Sequence, residues 1–219
     1  MTTGVAPGAE PQSSASRMLQ VAWLAVLLGL AIQVLILAGR FVAGANPTLM
    51  GLLADACQSV CWSFMVCGGI AIGMIVHEGR IVITGMLGLV SGPIAWGTAK
   101  AAQRLVQSLL GVPVDQIGDF FYLLCALKGI EYFVLGVLVA RLTGRDTSTL
   151  RDYALVGFVV GIVSTIVVVY LSVRHGVAVG QPMPFPKIVG LALGELTFPI
   201  GCALVIYAPF HFKRQLGLA

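Results

Sequence analysis

MLQVAWLAVLLGLAIQVLILA, residues 18–38, is a run of 21 residues that contains no charged side chain. A helix rises about 1.5 Å per residue, so a run of this length crosses the roughly 30 Å hydrocarbon core of a bilayer. Residues 43–45 have the Ala-x-Ala pattern of a signal-peptide cleavage site. However, the run is longer than a signal-peptide core of about 7–15 residues, and almost no positive charge precedes it. We therefore predict a transmembrane helix here rather than a cleaved leader.

The composition places the whole chain in the same class. Hydrophobic residues make up 58% of the 219 residues and charged residues only 10%, whereas soluble domains are about half apolar and about one quarter charged. The longest polar stretch is residues 1–17, which are rich in Pro, Gly and Ser. The sequence predicts an all-α, polytopic transmembrane helical bundle, with a disordered N-terminal tail at 1–17 and a single transmembrane domain at 18–219.

Six transmembrane spans are predicted, at residues 18–39, 49–76, 81–103, 119–141, 152–173 and 188–210, with a possible extension of the third to Leu110. Lys and Arg are in excess in cytoplasmic segments of membrane proteins. With the N-terminus inside, the inner segments hold seven basic residues: Arg17, Arg80, Arg141, Arg145, Arg151, Lys213 and Arg214. The outer segments hold five: Arg40, Lys100, Arg104, Arg174 and Lys187. We therefore expect both termini to be cytoplasmic, in a bacterial cytoplasmic (inner) membrane.

Charged side chains interrupt three of the predicted spans. Asp55 lies on the second, Lys128 and Glu131 lie on the fourth, and Glu195 lies on the sixth. All four fall about 10 to 20 Å below the outer surface. A charge that faces lipid there costs about 2.5 to 3.5 kcal/mol or more, so these side chains are predicted to face the bundle interior or to form pairs.

Two pairings are open for Lys128. It is three residues from Glu131, so the two can pair on one helix face. Alternatively, Lys128 reaches across to Asp55 or Glu195 and leaves one acid free. Because three acids face one lysine, complete pairing is impossible, and an unpaired buried acid takes up a proton or binds a cation. A protonated acid can also be purely structural, so this alternative stays open.

The predicted ion- or ligand-binding residues are Asp55, Gln58, Lys128, Glu131 and Glu195, with Gln58 on the helix face of Asp55. Pro199 has no N–H, so the carbonyl of Glu195 loses its helical partner and becomes available to a cation or to water. The simpler interpretation of Pro199 is a helix kink. Glycine pairs four residues apart predict close helix packing, either within the chain or between copies: Gly69 with Gly73, Gly157 with Gly161, and Gly190 with Gly194.

Several functional classes lack support in the sequence. It contains no motif of a hydrolase, a zinc protease or a nucleotide-binding loop, so no catalytic residue is predicted. The three histidines fall at predicted helix ends or loops, and the five cysteines lie within apolar spans. We therefore expect no metal and no cofactor. No run of Lys or Arg is present, so nucleic acid is not an expected partner.

Two hypotheses of function follow. In the first, the chain is a transport or solute-capture protein for a small ion or polar solute, with an outward-facing buried polar site. In size and outward-facing polar band it resembles the substrate-capture subunits of vitamin uptake systems, a resemblance of architecture without a shared motif. In the second, it is a non-catalytic accessory or assembly subunit of a larger membrane complex. The expected partners are the lipid bilayer, the solute or ion, and further copies or other membrane subunits.

Overall fold

The computed structural model describes residues 14–76, 81–112, 114, 118–145 and 147–215. In this part of the chain it contains six α-helices and no strand: α1 Ser14–Val42, α2 Leu49–Val76, α3 Ile81–Leu109, α4 Asp119–Thr143, α5 Leu150–Ala178 and α6 Phe185–Gln215. Each of the six is long and apolar enough to cross a membrane. The chain thus has the architecture of a multi-pass integral membrane protein.

The helix bounds agree with the predicted spans, with extensions at several ends. The extension of α3 beyond residue 103 is confirmed, since it runs to Leu109. α1 begins at Ser14, so the last four residues of the predicted tail are helical, and residues 1–13 lie outside the described part. The Arg17 guanidinium lies 5.5 Å from the centre of the Phe210 ring on α6. This cation–π contact gives the added turn of α1 a partner.

The helices form a closed ring in chain order, with α1 beside α6, and α2, α4 and α6 also contact one another across the interior. In the most apolar window of each helix, the buried share is 50%, 39% and 44% for α2, α4 and α6, but 28% for each of α1, α3 and α5. The even-numbered helices therefore form the interior of the ring, and these are the helices that carry the four predicted charges.

Glycines bring α3 and α4 into backbone contact. A Cβ atom on Gly88 would lie 2.1 Å from the carbonyl oxygen of Tyr132, and one on Gly92 would lie 2.6 Å from that of Lys128. Apolar burial gives little drive between helices in lipid, so close backbone approach through small residues is a main source of packing. These contacts fix the depth and rotation of Lys128 relative to α3.

The three predicted glycine pairs all pack within the chain. Gly69 and Gly73 approach α3, Gly157 and Gly161 approach the backbone of α6, and Gly190 and Gly194 approach α1. These faces are thus occupied by intramolecular contacts. Among the described glycines, none brings α4 against α5. That seam is joined instead by polar side chains.

The close α3–α4 contact predicts that a side chain at position 88 destabilises the protein. We expect Gly88→Ala to lower the free energy of unfolding by about 1 to 3 kcal/mol, because the added methyl must displace the α4 backbone. The control is Gly97→Ala on the same helix, where a Cβ meets nothing within 4 Å. It should leave stability unchanged or raise it by up to about 1 kcal/mol. Unfolding of purified protein by SDS in mild detergent measures both. Equal stability of the two variants would contradict the close approach.

Candidate functional site

Four side chains from α4, α5 and α6 meet in the interior, and we call them the central cluster: Lys128, Glu131, Ser164 and Glu195. Lys128 Nζ donates to Glu131 Oε2 at 2.7 Å and also to Glu195 Oε2. Ser164 Oγ lies 2.7 Å from Glu131 Oε2 and 2.9 Å from Glu195 Oε2. All four residues are buried, with at most 8% of their surface exposed. The two carboxylates therefore share one ammonium and one hydroxyl as hydrogen-bond partners.

The predicted pairing of Lys128 with Glu131 is confirmed, and the alternative contact with Glu195 is present at the same time. The reason is that the even helices converge in the interior, so Glu195 on α6 approaches the helix face that Glu131 shares with Lys128. The expectation that Lys128 could reach Asp55 is wrong, because Asp55 pairs with Arg40 instead.

Aromatic rings surround the ammonium of Lys128. Its Nζ lies 5.4 Å from the centre of the Trp62 ring and 6.0 Å from that of Tyr132. Trp62 is itself in edge-on contact with Trp96, Tyr132 and Phe198. The faces of aromatic rings attract a cation, so they support the charged form of Lys128 at a place where water is excluded.

A second polar group, the outer network, consists of Arg40, Asp55, Gln58, Lys100 and Gln103. Asp55 accepts from Arg40 Nη1 at 2.8 Å and from Gln103 Nε2 at 2.7 Å. Lys100 Nζ donates to Gln103 Oε1 at 2.9 Å and to Gln58 Oε1 at 3.4 Å. The network lies where α1 and α3 end and α2 begins, which we call the outer end after the predicted topology.

The five predicted site residues are thus divided between two places. Lys128, Glu131 and Glu195 are together in the central cluster, while Asp55 and Gln58 belong to the outer network. Asp55 is six residues from the start of α2, whereas Glu195 is ten residues from the start of α6. Asp55 is therefore shallower, and it lies within reach of Arg40 in the last turn of α1.

The contacts that connect the two groups are aromatic. Lys100 Nζ lies 5.4 Å from the Trp96 ring, and Trp96 meets Trp62 edge-on with ring centres 5.7 Å apart. Trp62 then contacts the Lys128 ammonium. The two indole rings thus stand between the two lysines, and they separate the partly exposed outer network from the buried cluster.

Ser164 is the member of the central cluster that was not predicted from the sequence. It is uncharged and lies on α5, an odd-numbered helix without a predicted polar face. A signal was nevertheless present, because Ser164 continues the small-residue face of Gly157 and Gly161 at helical spacing. All three residues are buried. A hydroxyl on that packed face is the feature that could have identified it.

The charges of the central cluster do not balance if both acids are ionised. One ammonium then faces two carboxylates, and Glu131 Oε1 and the Tyr132 hydroxyl are buried without a hydrogen-bond partner among the described residues. An uncompensated charge in such surroundings costs several kcal/mol. The arrangement is therefore chemically suited to take up one further positive charge, as a proton or as a cation.

Neither a metal-ligand group nor an apolar groove coincides with the cluster. The described residues contain no group of three or more His, Cys, Asp or Glu side chains that could hold a metal ion. An apolar groove of about 470 Å³ lies between α1 and α2 near the outer end, lined by Val34, Phe41 and Leu52 among others. None of the predicted site residues lines this groove.

No protein-family model, curated protein or solved structure matches the chain. The side-chain geometry is thus the basis for a proposal of function.

Because the two carboxylates share one ammonium, we expect a single substitution in the cluster to be more destabilising than a triple one. Lys128→Met leaves two buried carboxyls without their cation, and we expect it to cost about 3 to 5 kcal/mol of unfolding free energy. The triple variant Lys128→Met, Glu131→Gln, Glu195→Gln removes all three charges and should be more stable than the single variant. SDS unfolding in mild detergent gives the order. A triple variant that is less stable than Lys128→Met would exclude mutual compensation.

Proposed function

We propose that this protein is a membrane transport or solute-capture protein for a small ion or polar solute, and that the central cluster is the ion site on which its activity depends. The observation that carries the proposal is the convergence of Glu131 and Glu195 on one ammonium and one hydroxyl, away from water. A purely structural charge in a membrane helix needs one partner. Two acids around one lysine form a site whose charge changes when a cation is bound or released.

The position of the cluster supports this role. It lies where the inner helices α4 and α6 meet α5, between the ends of the spans. Transporters bind coupling ions and substrates near the middle of the bilayer, at an interface between helices that can move relative to one another. The α4–α5 seam has no glycine-mediated backbone contact among the described residues, so a change in its polar contacts can alter it.

A carrier also needs a group of contacts that closes access to its binding site, and the outer network fits this role. Arg40 from α1 joins Asp55 of α2, and Gln103 and Lys100 of α3 complete the closure. We propose that both termini are cytoplasmic in a bacterial inner membrane, so that this network closes the outward side. In this state the cluster is shielded, and opening requires separation of the outer network and of the Trp62–Trp96 contact.

The hypothesis of an accessory subunit has weaker support. It assumed that the buried charges pair with helices of a neighbouring protein. Each of the four predicted charges has an ion-pair partner within the chain, which favours an autonomous protein. The mass of the native protein after gentle solubilisation distinguishes the two, because a stoichiometric assembly with other chains would favour the subunit.

Glu195→Gln tests the proposed function. Wild-type protein in proteoliposomes is offered a defined mixture of amino acids, organic acids, nucleosides, vitamins and alkali cations, and the internal contents are measured by mass spectrometry. We expect the wild type to accumulate at least one component and Glu195→Gln to lose at least about 90% of that accumulation, about 1.4 kcal/mol or more in rate terms. Asp119→Asn, at the exposed start of α4, is the matched control and should retain accumulation.

Two results would count against transport. The first is a folded wild-type protein that accumulates no component of the mixture but purifies with other chains. The second is a folded Glu195→Gln variant that accumulates solute as well as the wild type does, since the cluster would then have no part in the activity.

A further inference from the structure

We propose, as a refinement that rests on the proposed transport function, that the ion bound by the central cluster is a proton, shared between Glu131 and Glu195 through the hydroxyl of Ser164. Ser164 Oγ lies within hydrogen-bond distance of both Oε2 atoms, at 2.7 and 2.9 Å. A serine hydroxyl has one hydrogen to donate, and an ionised carboxylate has none.

If both acids were ionised, one of the two short oxygen–oxygen contacts would contain no hydrogen. Two acceptors would then face each other at less than 3 Å. One hydrogen divided between both carboxylates would lie on the axis of neither bond, and hydrogen bonds weaken steeply away from linearity. With one carboxyl protonated, that carboxyl donates to Oγ and the hydroxyl donates to the other carboxylate. Every contact then has its hydrogen.

The same geometry disfavours a metal cation at this position. A metal ion bridging Glu131 and Glu195 would lie between their Oε2 atoms, and Lys128 Nζ already donates to both of them there. A second cation would have to approach this ammonium in surroundings where charge repulsion is poorly screened. A proton needs no such space, because it resides on an oxygen that is already present.

The groups around the cluster leave the proton count unchanged. Tyr132 on α4, Cys202 on α6 and Cys67 on α2 are in electrostatic contact with the glutamates or with one another, and all three are neutral in their protonated forms. α2 also presents the Trp62 ring, and Lys100 of α3 is separated by Trp96 and Trp62. The charged residues of α1, Arg17 and Arg40, contact Phe210 and Asp55 near the ends of that helix.

The bridge also provides a route for the proton between two helices. The O–H bond of Glu195 breaks as its proton forms a bond to Ser164 Oγ, while the original hydroxyl proton leaves Oγ for Glu131 Oε2. The hydroxyl has one hydrogen before and after, and no charge is left on it. The proton thereby passes from α6 to α4, and its position decides which glutamate forms the full ion pair with Lys128.

Infrared spectroscopy of the protonated carboxyl band tests the proposal without a known solute. At neutral pH the wild type should show one protonated buried carboxyl. Glu131→Gln and Glu195→Gln should each lose it, because the remaining carboxylate pairs fully with Lys128. Lys128→Met should show two. If Lys128→Met fails to fold, the two glutamine variants still show whether Glu131 and Glu195 share the proton. A band that neither of them removes, or its absence from the wild type, would overturn the shared proton.

Ser164 variants test the bridge. Ser164→Ala removes two hydrogen bonds from the singly protonated cluster but one from the doubly ionised cluster. The pH midpoint of the band should therefore fall by about one unit, roughly tenfold in proton affinity. Ser164→Thr keeps the hydroxyl and should restore the midpoint. An unchanged midpoint in Ser164→Ala would exclude the bridge.

A comparison of two salts distinguishes a failure of the proton proposal from a failure of the transport proposal. The spectra are recorded in sodium chloride and in choline chloride. A band that sodium removes would show that sodium is the bound ion, which overturns the proton but leaves transport standing. A sodium-independent band in a protein that accumulates nothing in proteoliposomes would support the proton site and contradict transport.

Discussion

The ammonium of Lys128 is the group on which the interior of this bundle depends. It is buried inside a bundle of apolar helices, so it is stable only if carboxylates reach it, and those come from two different helices. Glycine contacts press α4 against α3 at Gly88 and Gly92, which fixes the place of the ammonium. Glu195 and Ser164 must then approach from α6 and α5. The requirement of one charge thus specifies how three helices meet.

The helices pack through two kinds of contact, one between backbones at glycines and one between polar side chains. α3 meets α4, and α5 meets α6, through glycines whose backbones approach too closely for a side chain. Such contacts have one good geometry, because any shift produces a clash or a gap. The α4–α5 seam is joined instead by the hydrogen bond of Ser164 to Glu131 and by the contact of Thr143 with Tyr153. A hydrogen-bonded seam has no backbone contact that fixes its spacing, so the glycine seams set the packing of the bundle and the polar seam is the one that can rearrange when its partners change.

The apolar runs along the sequence were sufficient to predict the six helices, because a run of about 20 apolar residues has few other stable structures in a membrane. The pairing of Lys128 with Glu131 followed from helical spacing. The location of Asp55 did not follow, because depth along a helix says nothing about the neighbour at that depth, which is Arg40. Ser164 was missed for a related reason: its role comes from the position of α5 against two other helices.

The two polar groups differ in what it costs to disturb them. The Arg40 and Asp55 side chains are 28% and 26% exposed, and a partly exposed ion pair contributes less to stability than a fully buried one loses when a partner is removed. The central cluster is dry, and loss of one partner there costs about 3 to 5 kcal/mol. An outer network that costs less to separate than the central cluster does is the combination that the proposed carrier function requires. The Trp62–Trp96 contact lies between them, so opening the outer network alone leaves the cluster shielded from water.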